Sequence, residues 1–436
     1  MTYTETTTTG YGTRLKRSFK GIIAGIIFFI GATILLFCNE GRSVKTSDTI
    51  KEVQGNTELV DDVSVVSPDL NHKLIHATAL ATTSDVLTDP IFNISTPAIQ
   101  LIRNVSFYQY IEKCKSEEHE NFGGSVTTTT KCEYTPEWSD ERVDSSEFKD
   151  SNYAQKNVSL ANIEPNKIYA QNVSFGAYKL PLFLIKKISN DEKFEVKLPE
   201  EVLENLQKQV LETYYIFHPE KKVTKISPLD SKKEETKNVE DKKDEEQANE
   251  QKEKQDEQEP KLIHVNYDTI YIGLNPSVPT IGDVKISFER TLPTDVSIIA
   301  RVSNSTFGRY LAKNGKEFSQ LETGDVPFEN MIQHAKSENT TITWLLRLAG
   351  LILLFIGFNL IFDIISMIFK WFPALGSIVG VGVGLVCGVL ALVWGLLVIA
   401  FAWLFYRPLI SISLVVVAVM AFLYLRKKGA TTNNEN

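Results

Sequence analysis

Between Trp371 and Tyr406 the chain runs for 36 residues without one Asp, Glu, Lys or Arg. A stretch that long and uncharged does not fit the surface of a water-soluble fold. It is also longer than an ordinary buried helix, so it places the chain in a bilayer. Charge elsewhere is just as uneven: residues 231–260 carry 19 charged side chains in 30. The averages of 43% hydrophobic, 23% charged and a net charge of −8 over 436 residues describe neither region. This segregation disfavours a soluble single-core protein, a wholly disordered chain and a coiled coil. Four Cys are too few for a disulfide scaffold.

Four apolar runs follow from the same criterion. The first, residues 21–38 (GIIAGIIFFIGATILLFC), spans about 27 Å as a helix, close to the thickness of the hydrocarbon core. A cleavable signal peptide is the competing reading. Its apolar part is shorter, roughly 7–15 residues, and ends in a small-residue cleavage site. This run ends in Phe37-Cys38-Asn39-Glu40, which favours a retained anchor. The second run is 348–369, interrupted only by Asp363. The third is 378–405, and the fourth is 408–425, closed by Arg426, Lys427 and Lys428. Pro373 marks the entrance to the third, and Arg407-Pro408 leaves room only for a tight hairpin before the fourth. The expected fold class is a membrane protein with four transmembrane α-helices, one N-terminal and three C-terminal, plus a β-rich α+β domain.

Lys and Arg set the expected orientation. Arg14, Lys16, Arg17 and Lys20 precede the first run, Lys370 separates the second and third, and the Arg426 cluster follows the fourth. Arg407 is the lone basic residue of the opposite short loop. Both termini, 1–20 and 426–436, are therefore expected on the cytoplasmic side, and 39–343 is expected to be exported. Residues 1–20 and 363–436 each carry +3, which leaves −14 of the total −8 on the remainder. An acidic exported domain argues against nucleic-acid binding.

Within that domain, residues 73–80, 98–110, 168–180, 265–272, 282–288 and 296–302 have strand composition. Leu203, Leu206 and Val210 recur at helical spacing behind Pro199, predicting a helix over 200–211. A second helix is expected from Pro327 through Ala335 toward the second span. The Lys/Glu/Asp/Gln run within 231–260 reads as a disordered insertion, with a solvated charged helix as runner-up. The Thr-rich start, 1–12, reads as a disordered tail. Cys38 and Cys387 fall in apolar runs. Cys114 and Cys132 are symmetric about Gly123 in a turn-like Asn-Phe-Gly-Gly cluster. A hairpin folded there would set them opposite each other as a cross-strand disulfide; two free thiols are the alternative. Six sequons, Asn93, Asn104, Asn157, Asn172, Asn304 and Asn339, all lie in the exported region and are glycosylation candidates if the host is eukaryotic.

No catalytic constellation emerges. The six His are dispersed, and no HExxH, CxxC, GxSxG, P-loop or dinucleotide fingerprint occurs. The chain is therefore read as a non-enzyme with no metal and no cofactor. Asp363 is the one acid inside a span and, by default, a candidate for function in transport or lipid handling. An interfacial acid paired with Lys370 or Arg426 is the plainer reading. Gly376, Gly380, Gly384 and Gly388 line one face of the third span at small-xxx-small spacing, echoed by Gly21 and Gly25. Such a face serves close helix packing, either inside the bundle or between copies as a homo-oligomer.

The residues after the first span add a resemblance. Asn39-Glu40-Gly41-Arg42-Ser43-Val44-Lys45-Thr46 resembles the NEGR-x-x-KT signature of the LUMA family, also called transmembrane protein 43. Further blocks follow in the family's order: Leu87-Thr88-Asp89-Pro90 with Phe107 to Glu112, Glu137-Trp138 with Ser145 to Phe148, Gly282 to Phe288 with Ile298 to Arg301, Thr343 to Arg347 through Leu360, and Trp403 to Leu409. The resemblance covers roughly residues 20–428. It implies a four-span protein of the endoplasmic reticulum and nuclear inner membrane that oligomerises and helps to organise the nuclear envelope. Its partners would be the lipid bilayer and lamin- or emerin-like envelope proteins, and no enzymatic activity or cofactor comes with it. The acidic insertion and the Cys114/Cys132 pair depart from the family pattern. A host without lamins would lack those partners, and relatives in bacteria would carry the domain in the periplasm.

Overall fold

The computed structural model describes residues 2–221, 259–369 and 373–408, with Ser413 and Met420. The expected insertion (all but Glu259 and Pro260), nearly all of the fourth apolar run and the tail 426–436 lie outside the described residues. Four long helices are described: α1 (Tyr11–Asn56), α2 (Glu200–Phe217), α3 (Phe328–Phe369) and α4 (Pro373–Tyr406). The principal strands are β1 (Thr2–Thr9), β2 (Leu74–Thr83), β3 (Gln100–Glu120), β4 (Val126–Ser139), β5 (Ile263–Asn266), β6 (Thr269–Ile272), β7 (Val284–Thr291) and β8 (Thr294–Ser303).

α1, α3 and α4 are three helices long and apolar enough to cross a membrane. At 46 and 42 residues, α1 and α3 are each about 60–70 Å long, roughly twice the hydrocarbon thickness. They run antiparallel, and their surplus length continues out of the apolar layer as a stalk. Two glycines permit the crossing within that layer: a Cβ at Gly25 would lie 2.7 Å from the Gly357 carbonyl, and one at Gly357 would lie 3.0 Å from that of Gly25. Leu36 fills the space beside Gly350 in the same way. Ala32, Leu36, Leu354, Ala391 and Val398 form the shared core of the three helices. At the far end of the stalk, Ile50 and Val53 of α1 meet Met331, Ile332 and Ala335 of α3, together with Leu74 of β2 and Ile299 of β8. The domain is thus seated on the helices through side-chain packing.

Among the described residues the domain holds two large sheets over one apolar core, with two further two-stranded pairs beside them. In the first, strands follow the order β1-β4-β3-β7-β6-β5, with Asn166–Tyr169 added to β3 and Asp191–Lys193 to β7. In the second, β2 and β8 pair with each other, and Thr306–Gly308, Tyr178–Lys179 and Val173–Phe175 complete a ring between them. Phe175, Tyr178 and Phe288 are among the fully buried side chains of the shared core, each contributing about 1.5–3 kcal/mol of transfer free energy. α2 closes one side with Leu206, Val210, Leu211 and Tyr214, extending the expected 200–211 helix by six residues.

Three expectations need correction. The single strand expected over 168–180 is three short strands, because Gly176 turns the backbone through φ +58. The strand expected over 265–272 is the hairpin β5–β6, turning at Tyr267 with φ 39. Residues 1–20, whose Thr-rich start 1–12 is expected to be a disordered tail, hold β1 and the first turns of α1. β1 lies antiparallel on β4, from Thr2 opposite Glu133 to Thr9 opposite Val126. The threonines misled: their hydroxyls make them poor core formers, but their β-branching suits an edge strand, and facing threonines on β4 complete the ladder. Arg14 then reaches the hairpin tip, donating to the Gly124 carbonyl at 2.7 Å and pairing with Glu120 at 3.2 Å.

Candidate functional site at the membrane boundary

α1 leaves its apolar run at Cys38 and at once presents Asn39, Glu40, Gly41 and Arg42, four residues that join three helices. The Glu40 side chain is 2% exposed. Arg347 of α3 donates Nε to Oε1 at 2.7 Å and Nη2 to Oε2 at 2.8 Å, and Trp403 of α4 donates Nε1 to Oε2 at 2.8 Å. A carboxylate buried at the edge of a bilayer is costly unless its oxygens are matched, and a bidentate guanidinium is the strongest match available. The Arg347 guanidinium also lies 4.8 Å over the Trp344 ring. Asn39 donates to the Thr343 carbonyl at 3.0 Å. A Cβ at Gly41 would come within 2.6 Å of the Tyr406 ring, so only glycine lets α4 end against α1 here.

Arg42 turns to the outer face of this joint. Its guanidinium donates to the side-chain oxygens of Asn39, Asn339 and Thr343, all neutral acceptors. Beside it stand Lys45 and, from the loop after Tyr310–Leu311, Asn314, Gly315 and Lys316. Asn314 anchors that loop to α1 by donating to the Lys45 carbonyl and the Thr49 hydroxyl. Glu52 secures it again by accepting from the Tyr310 hydroxyl at 2.7 Å and from the Lys313 amide. Burial, and then repulsion from Arg42, hold the Lys316 amine below the ordinary lysine range. Cys38, Gly41, Tyr406 and these cations bound a cavity of about 430 Å³.

The residues singled out from the sequence are dispersed. Cys114 and Cys132 are directly opposite on β3 and β4 and are joined by a disulfide. Asp363 accepts from the Ser18 hydroxyl at the opposite end of the α1–α3 pair, and the Ser366 hydroxyl donates to it at 3.3 Å. Its expected partners Lys370 and Arg426 lie outside the described residues. Along α4, a Cβ at Gly380 or Gly384 would meet nothing within 4 Å among the described residues, and one at Gly388 would only touch Phe355 at 3.8 Å; the surroundings of Gly376 are not described. The tight glycine contacts are instead at Gly25, Gly357, Gly350 and Gly395. Asn93, Asn104, Asn172 and Asn304 are exposed, and Asn157 is half-buried with its amide on the Tyr110 and Val143 carbonyls. Asn339 is 8% exposed and is spent on Arg42 and the Ser43 carbonyl, which is not the situation of an accessible sequon. Glu40, Arg347 and Trp403 carry the joint, although sequence reasoning gave them no role. Their signal was position: each lies at the edge of an apolar run, where a charge or an indole N–H needs a partner.

The joint coincides with the residues that carry the family resemblance, and comparisons with known proteins agree. The profile of the family described as Transmembrane protein 43 matches residues 107–226 and 228–408. Transmembrane protein 43 of Rattus norvegicus is 28% identical over 436 residues, covering 98% of this chain and 94% of the relative. The Homo sapiens protein of that name is 27% identical over 429 residues, covering 96% and 92%. The Drosophila melanogaster homolog is 23% identical over 418 residues, covering 92% and 93%. No solved structure matches the chain. With two profile segments spanning well over half of its length and curated relatives matching nearly end to end, the chain belongs to the Transmembrane protein 43 family.

Proposed function

We propose that the chain is a structural, multi-pass membrane protein that helps to organise the endoplasmic reticulum and nuclear inner membrane by oligomerising and by binding envelope proteins. The observation that carries this reading is the rigid mounting. Two helices continue from the apolar layer into the domain core with no flexible linker, and the Glu40–Arg347–Trp403 joint locks their crossing. Such a build transmits position between membrane and domain. Gly380 and Gly384 of α4, uncovered among the described residues, supply a face for close packing of a second copy. The lamin- or emerin-like partners come from the family resemblance and belong to this proposal.

The orientation we propose has both termini cytoplasmic or nucleoplasmic and the domain on the far side. It follows the distribution of Lys and Arg, and it has a structural consequence. The hairpin tip carries Lys115, Glu117, Glu118 and Glu120 and is not soluble in hydrocarbon. Arg14 therefore meets Glu120 only when α1 is not threaded through a bilayer. Ile23 and Ile27 are each 65% exposed on α1 and need lipid around them, so the threaded form is the working one, with β1 released from β4.

The test combines proximity labelling from each side of the membrane with imaging. A signal at the nuclear rim, and labelled neighbours enriched in envelope proteins, is the expected result; exclusion from the rim overturns the reading. A transporter or lipid-handling protein using Asp363 would lose activity on Asp363→Asn, whereas localisation of a structural protein survives it.

A further inference from the structure

We propose that the cavity bounded by Cys38, Gly41, Arg42, Lys45, Lys316 and Tyr406 binds the phosphate headgroup of an anionic phospholipid in the leaflet that faces the β-rich domain. The inference is independent of the scaffold reading and rests on three observations.

The first is uncompensated charge. Arg42, Lys45 and Lys316 line one cavity, and among the described residues none lies within ion-pair distance of a carboxylate. Glu338 acts on Lys316 only through its field. The contacts these cations do make are with neutral groups: Arg42 with Asn39, Asn339 and Thr343, and Lys316 with the Thr46 hydroxyl. Such acceptors fix the direction of a cation without cancelling it. A phosphate, with several strong acceptor oxygens, matches three cations lining one cavity.

The second is construction. The cations come from two segments that the fold holds together: α1 supplies Arg42 and Lys45, and the 313–316 loop supplies Lys316. Asn314 and Glu52 bind that loop to α1. The cavity is therefore formed before a ligand arrives, and its volume of about 430 Å³ lies within the usual range of ligand sites, roughly 300–1,000 Å³.

The third is depth, which favours a lipid over a free anion. Cys38 closes the apolar run of α1, and Tyr406 closes the uncharged stretch of α4. The cavity floor is thus the place where hydrocarbon gives way to headgroups. Basic pockets between membrane helices at that level recognise anionic headgroups.

The full chain, purified in neutral detergent, would be examined by native mass spectrometry after addition of phosphatidic acid, phosphatidylcholine or inorganic phosphate. The parent is expected to retain one phosphatidic acid at least tenfold better than phosphatidylcholine. Lys45→Gln/Lys316→Gln should lose that preference, Lys45→Arg/Lys316→Arg should keep it, and Lys51→Gln/Lys73→Gln, outside the cavity, should leave it unchanged. The arginine pair guards against a loss caused by misfolding. Equal retention of the two lipids by the parent, undiminished preference in the glutamine pair, or displacement of the lipid by millimolar-range inorganic phosphate would each overturn the assignment, the last by identifying a free-anion site.

Discussion

Glu40 on α1 and Arg347 on α3 stand 307 residues apart in the chain and share a two-pronged contact at 2.7 and 2.8 Å, with the carboxylate almost wholly removed from solvent. A buried pair of this kind adds little net stability over a well-packed apolar pair, yet removing one partner strands a charge, at a cost of about 3–5 kcal/mol. Its value here is register: only one alignment of α1 against α3 brings the two residues level, with Trp403 able to reach the second oxygen. Glu40→Gln and Arg347→Gln are each expected to lower thermal stability in detergent sharply. The double variant should cost clearly less than the sum of the two. Simple additivity in that double-mutant cycle would show that the pair is not a coupled joint.

Gly25 and Gly384 have similar sequence surroundings and different structural ones. A side chain at Gly25 strikes the Gly357 carbonyl, whereas one at Gly384 meets nothing among the described residues. Gly25→Leu is therefore expected to force α1 and α3 apart and expose the chain to protease. Gly384→Leu should leave the protomer intact and reduce crosslinked oligomer. Oligomer bands unchanged by Gly384→Leu would remove the open face of α4 as a contact between copies.

The parts of this fold that could be read from sequence are those set by local pattern. Uncharged length located α1, α3 and α4, and β-branched runs located β2, β7 and β8. The turn residues around Gly123 located the hairpin that brings Cys114 to Cys132. What escaped was set by pairing at long range. The surplus length of α1 beyond Cys38 has ordinary polar composition, and it is helical because Ile50 and Val53 pack on α3 and β8. The glycine stripe of α4 was conspicuous by spacing, but spacing does not say what approaches it; the close approach is at Gly25 and Gly357. Glu40 and Arg347 each look like a charge flanking a span, and nothing local joins them.

The contact between β1 and β4 gives a direct reading of topology. Thr6 faces Thr129 in the ladder, so a Thr6→Cys/Thr129→Cys chain forms a disulfide wherever that pairing persists. In isolated membranes the threaded form should give no crosslink, and an impermeant maleimide should reach Thr6→Cys from the cytoplasmic face. Efficient crosslinking in carbonate-washed membranes would instead place residues 2–14 on the domain's side.

Accessibility separates the six sequons. Asn93, Asn104, Asn172 and Asn304 are exposed residues, the amides of Asn104 and Asn172 resting on the surface carboxylates of Glu289 and Asp85, whereas the Asn339 amide is held against the Ser43 carbonyl on a buried helix face. If the domain is lumenal, Asn→Gln at the exposed positions should remove endoglycosidase-sensitive mass wherever the site is used. Asn339→Gln should remove none and should instead destabilise the joint, because Arg42 loses an acceptor geometry built around asparagine. A glycan-dependent mobility shift on Asn339→Gln would contradict the packing of α1 against α3 at this level.

Asp283 offers a readout of the domain alone. It is 1% exposed at the head of β7, accepting from the Thr280 amide at 2.7 Å and from the Tyr271 hydroxyl. Burial pushes its carboxyl above the ordinary value of 3.8, the Thr280 and Tyr271 hydrogen bonds offsetting only part of this, while burial and the same carboxylate push the Tyr271 phenol up. A carboxyl with a raised folded pKa contributes stability that is complete below its unfolded value and is lost as pH rises through the folded one. The parent chain should therefore lose stability relative to Asp283→Asn as pH rises from the ordinary carboxyl value of 3.8 through the raised folded one. The destabilisation caused by the substitution is then largest at the acid end. Thermal melts of the two chains across that interval test the sign, and a cost that grows toward neutral pH would mean that the two donors hold Asp283 ionised against its burial.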